Sequence, residues 1–136
     1  MQGHYSLNDD TLVQQMTDCT LDPSLFSHEA HLRLAWVQIN KDGVDKAIES
    51  ITGQLKNFVA HVGAQDKYHH TLTIAAVRAV AHFMKKSKSG TFEEFMGEFP
   101  ELMTQFKELI NSHYSMDIFE SRKAKEKYVT PDVQPF

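Results

Sequence analysis

The sequence predicts an all-α fold, a single-domain multi-helix bundle with an extended C-terminal tail, and three observations carry that expectation. Prolines stand only at positions 23, 100, 131 and 135, so residues 24–99 are free of the strongest helix breaker. Through that stretch apolar residues recur at helical spacing, and no segment alternates in the manner of a half-buried strand. The end of the chain, Tyr128-Val-Thr-Pro-Asp-Val-Gln-Pro-Phe136, is too proline-rich for helix and is expected to lie extended over the surface.

The elements follow in order. Residues 1–6 are expected to fray. Residues 7–18 suit a short helix capped by Asn8 or Asp9, with Leu12, Val13 and Met16 inward. After Pro23 a second helix runs from about Leu25 to Asn40, its charged stripe passing through Glu29, Arg33 and Asn40. Glu29 reads there as an i,i+4 partner of Arg33. Asp42-Gly43 makes a turn. Val44, Ile48, Ile51, Leu55, Phe58 and Val62 then form the clearest amphipathic pattern, and Gly63 stops it. A fourth helix spans about His69 to Lys86 around Leu72, Ala76, Val80 and Phe83. Thr91 with Glu94 forms a capping box for a short helix cut by Pro100. Another carries Leu102, Phe106, Leu109 and Ile110, with His113 next on its stripe. Ser115 is expected to cap a last helix through Ile118 and Phe119 into the charged run 121–127.

Composition narrows the function. At 136 residues the chain suits one domain, and its apolar and charged shares of 41% and 24% are ordinary for a globular protein. A net charge of −4 without a long basic stripe argues against nucleic acid or an anionic membrane as partner. The single Cys19 excludes an intramolecular disulfide and a cysteine-rich zinc site, and without a neighbouring base it reads as inert. Neither a signal peptide nor a membrane span is visible, so the expected location is cytoplasmic.

Three histidines fall where helices should be apolar. His28 and His31 lie on the second helix opposite its charged stripe, and His69, extended back one turn, joins the apolar line of the fourth. Buried imidazoles need partners, and a divalent transition metal such as zinc, iron or nickel would satisfy all three. Residues at i and i+3 are close enough to share an ion, and three histidines with an open fourth position describe a catalytic rather than a closed site. His70, at the edge of the apolar face, is a candidate fourth ligand or general acid and base. Gln38, Thr73 and Trp36 line the same inner faces, where they could orient a ligand or touch a small-molecule substrate. Each has a plainer reading: an amide or hydroxyl satisfying a carbonyl, an aromatic used for packing. His61 and His82 fall on polar faces, and His4 lies in the terminus expected to fray.

No phosphate loop, nucleophile elbow, zincin helix or paired Glu-x-x-His motif accompanies these histidines. The chemistry therefore stays open between metal-assisted hydrolysis, lyase chemistry and iron-dependent oxidation. Two other classes compete with it. One is a metal-free module binding a small anion or carbonyl compound; the other is a structural or protein-interaction domain with histidines in buried networks.

The segments Phe26-x-His28-x-x-His31-Leu32-x-x-Ala35-Trp36 and Tyr68-His69-x-Thr71-Leu72-Thr73 resemble a family of small bacterial helical proteins. The likeness continues through Tyr114-Ser115, Ser121 and Pro131-Asp132-Val133-x-Pro135, covering most of the chain from Phe26 onward. In that family a glutamate usually follows the histidine of the Tyr-His motif. Here the position is His70, so if that glutamate is a ligand or base, His70 takes its role or the site differs. The resemblance also suggests a tail closing over the bundle, with Tyr114 at the mouth of the site. It implies which residues matter and no particular activity.

Overall fold

The computed structural model describes residues 3–136, which are all-α: eight α-helices and three short 3-10 turns, with no strand among the described residues. They form two compact units, residues 1–68 and 69–136. No helix among the described residues is long and apolar enough to cross a membrane.

The first unit holds α1 (Asp9–Asp18), α2 (His28–Asp42) and α3 (Val44–His61). Asn8 caps α1 by accepting the Thr11 amide, as its position suggests. The second helix starts later than its periodicity implies. Asp22 accepts the Ser24 amide and starts a separate 3-10 turn, Pro23–Leu25, so Ser27 becomes the N-cap and His28 the first helical residue. Gly43 alone joins α2 to α3. Its φ of +86° is in the left-handed region, and it both ends α2, donating to the Ile39 carbonyl, and starts α3, accepting from Ala47. The antiparallel pair this makes packs with α1. Leu12, Met16, Leu32, Ala35, Ile51 and Phe58 are buried.

Residues 3–6 pack on the first unit, and the rest of the expected fraying end, positions 1 and 2, lies outside the described residues. Gly3–Ser6 forms a 3-10 turn packed against Pro23–Leu25, and His4 is buried. Arg33, expected on a solvated stripe, is buried too. Its Nε and Nη2 donate to Asp9 Oδ1, Nη1 to the His4 carbonyl, and Nη2 to the Leu7 carbonyl. Glu29 is therefore no partner of Arg33; it takes His4 Nε2 at 2.8 Å. The guanidinium is inward because backbone carbonyls one helix away satisfy it, which spacing along a single helix cannot reveal.

The second unit is built on α4 (His70–Met84), which packs with α7 (Phe106–Asn111) and α8 (Arg122–Glu126). Thr71, Thr73 and nearly every residue from Ile74 to Val80 are buried, so α4 is enclosed over most of its circumference rather than along one stripe. Thr91 caps α5 (Phe92–Glu98) through the Glu94 amide; the Glu94 carboxylate turns to the Gly90 amide. The helix expected through Leu102 to His113 is two pieces, α6 (Glu101–Thr104) and α7, parted at Gln105, whose φ of −133° is outside the helical region. No helix starts at Ser115. Asp117 Oδ1 instead accepts the Phe119 amide and the Asn111 side chain, folding 115–120 into turns. Ser121 then caps α8.

Residues 128–136 carry no helix or strand and are strapped down. Thr71 Oγ1 donates to the Lys127 carbonyl and accepts the Val129 amide. Tyr114 donates its hydroxyl to the Val129 carbonyl at 2.8 Å. Asp132 accepts the Ser115 amide and hydroxyl, and Val133 donates to the His113 carbonyl. The His113 ring stacks on Phe136 with centroids 4.0 Å apart while Nδ1 donates to Gln134.

Candidate ligand site at the start of α2

His28 and His31 occupy the first turn of α2 because Ser27, by accepting the Ala30 amide, starts the helix one residue before them. His31 donates its backbone amide to Ser27, so its ring leaves the first turn toward Phe26, whose centroid is 6.0 Å away. Phe26 in turn lies 5.7 Å from Phe58 of α3. An aromatic wall thus stands beside the imidazole. His31 Nε2 is closed to solvent and has no hydrogen-bond partner. Burial, helped by the neighbouring His28, pushes the ring's pKa down to about 4. At neutral pH His31 is an uncharged imidazole with an enclosed nitrogen free to accept or to donate.

The other expected site residues are placed as follows. His69 is the N-cap of α4 rather than a member of its inner line. Its Nδ1 accepts the Leu72 amide at 3.1 Å, so Nε2 carries the proton and donates to the Ile118 carbonyl at 2.9 Å. Both ring nitrogens are engaged within the second unit. Burial lowers its pKa, opposed by the Ile118 bond. His70 is the first residue of α4 and is half-buried.

Gln38 and Gln54 pair through reciprocal amide bonds of 2.9 and 3.3 Å, and Gln54 also reaches Thr17. Gln38 therefore ties α2 to α3. Thr73 donates to the His69 carbonyl one turn back, the plainer of its two readings. Trp36 is buried in α2. The Tyr114 hydroxyl holds the tail, and burial raises its pKa. His82, expected in solvent, is half-buried, and burial together with Lys86, His113 and Lys85 lowers its pKa.

Two open grooves mark the first unit, one along the Asp45–Asn57 face of α3 and one between Cys19–Pro23 and His61. Neither is lined by His28 or His31. Among the described residues no three His, Cys, Asp or Glu side chains form a cluster that could hold a metal ion. Spacing alone pointed to His28 and His31; the enclosure of one nitrogen, by contrast, depends on Phe26 and the packing around it. Comparisons with protein-family models, curated proteins and solved structures give no match.

Proposed function

We propose that this chain is a metal-binding helical protein in which His28 and His31 hold a divalent transition metal from the first turn of α2. The observation behind this reading is the enclosed, unpartnered Nε2 of His31 on a ring kept neutral at physiological pH. Neutral imidazole is the ligating form, and leaving such a nitrogen buried and unpaired costs about 1–3 kcal/mol. Zinc, iron and nickel all suit imidazole. His69 belongs to the second unit and has both ring nitrogens bonded there. Remaining positions go to water or to a small-molecule substrate. A metal held this way would polarise a substrate or activate water.

Elemental analysis tests the reading. Wild type, His28→Ala/His31→Ala and His69→Ala are each loaded with zinc, iron(II) or nickel and then desalted. Near-stoichiometric metal in the wild type and none in the double variant is expected, and the His69 variant, altered in the other unit, keeps its metal. Metal-free wild type after every loading overturns it.

A second reading is a metal-free site for a small hydrogen-bonding molecule. It is favoured by His69, whose two nitrogens are already bonded and which leaves two histidines at the α2 turn. This reading predicts ligand retention that a chelator does not disturb.

A further inference from the structure

The second unit contains another enclosed nitrogen that its surroundings leave unpartnered. Arg78 Nε, in the middle of α4, is closed to solvent and has no hydrogen-bond acceptor, although the residue as a whole keeps partial exposure. None of the ion pairs among the described residues involves it. Arg33 is the instructive contrast, since every nitrogen of that buried guanidinium finds an acceptor. A guanidinium cannot shed its charge to escape burial, so it needs an anion or carbonyl at that edge.

The surroundings are cationic. α4 carries no acidic residue. Arg78 and His82 are one turn apart, and Lys85 follows Arg78 by two turns on the same face. Lys85 and Lys86 sit just past the helix end, where cations are favoured by the helix dipole. That effect fades within the last turn, so it accounts for the lysines and not for Arg78. Tyr114, which feels the Arg78 charge, gives its proton to Val129, and Asp132 is held by Ser115. Burial, with Lys86, His113 and Lys85, lowers the His82 pKa, so His82 offers a neutral imidazole beside the lysine charges.

We infer that Arg78 is the recognition residue of an oxyanion site in the second unit, its Nε–Nη edge taking two oxygens of a carboxylate or phosphate group beside His82. The fork of parallel N–H groups fits such a pair of oxygens, a geometry that lysine cannot reproduce. This site is independent of the histidines of α2.

The chain has three arginines, Arg33, Arg78 and Arg122, so its side-chain Nε–H signals can be resolved one by one in nitrogen-15 NMR spectra. The protein is titrated with inorganic phosphate and, separately, with acetate, each against sodium chloride at matched ionic strength. A saturable shift of the Arg78 signal, with Arg33 and Arg122 moving only as in chloride, is the expected result. The anion that saturates at lower concentration names the class. Arg78→Lys, which retains the charge and most of the stem, should weaken binding by about tenfold or more, followed through the backbone amides of α4. If the three arginine signals drift alike with both anions, screening alone is at work and the site does not exist. Equal affinity in wild type and Arg78→Lys likewise overturns the role of the fork.

Discussion

At the scale of single residues, burial and hydrogen bonding separate side chains that sequence spacing treats alike. Arg33 and Asp9 form a lopsided pair, one buried and one half-exposed. Arg33→Gln is expected to lose about 2–4 kcal/mol in urea unfolding, because three acceptors lose a charged donor. Asp9→Asn should lose less than about 1 kcal/mol, since water screens its carboxylate and two carbonyls still hold the guanidinium. Equal losses would mean that the ion pair, not the carbonyl bonds, holds Arg33. None of this was legible in the sequence, where Arg33 falls on a tidy polar stripe; its acceptors at positions 4, 7 and 9 are remote in sequence. His69 was misplaced for a related reason. An imidazole that caps a helix looks, one residue from the helix start, like one more residue of the buried line.

At the scale of elements, periodicity found α1, α3 and α4 nearly to their ends and located Asn8 and Thr91 as caps. It failed where side chains compete with the helix for backbone groups. The Asp117 turn displaced a helix expected from Ser115, and the Asp22 turn delayed α2. That delay matters, because it puts His28 and His31 in the first turn instead of one turn further along. The tail gives the sharpest element-scale prediction. Thr71→Val leaves the Lys127 carbonyl and the Val129 amide without their partner, and about 1–3 kcal/mol of local stability should go with them. Tyr114→Phe removes one bond and should cost about 1 kcal/mol. Hydrogen exchange across 128–136 should quicken in both variants, more in Thr71→Val. Unchanged exchange would show that Asp132 and Val133 hold the tail unaided.

At the scale of the whole molecule, the shifted histidines and carboxylates agree on one direction of pH dependence. His31, His69 and His82 have pKa values below the ordinary 6.5, so the unfolded chain binds more protons than the folded one as the pH falls below that value. Stability is therefore full above about 6.5 and declines toward 4, where His31 itself protonates. His31 alone accounts for at most about 3 kcal/mol of that decline. Asp22, Glu98, Asp117 and Asp132 have depressed values too, held by hydrogen bonds from serine, asparagine and backbone amides. Their stabilisation is present above their unfolded pKa values and is lost as they protonate, extending the fall to more acid pH. Denaturant titrations of metal-free protein between pH 7 and 4.5 should show the decline, and His31→Gln should flatten much of it. An unaltered slope in that variant would mean that the ring is not held neutral by burial.

The lone tryptophan has an experimental consequence. Trp36 is the only indole in the chain, and it is buried in α2, inside the first unit. Selectively excited fluorescence is therefore a spectroscopic window onto residues 1–68 and is silent about 69–136. Circular dichroism, dominated by helices from both units, sees the whole chain. Superimposable melting curves from the two probes would make the protein a single cooperative system. Divergent curves would mean that an unfolding free energy taken from fluorescence belongs to half of the molecule.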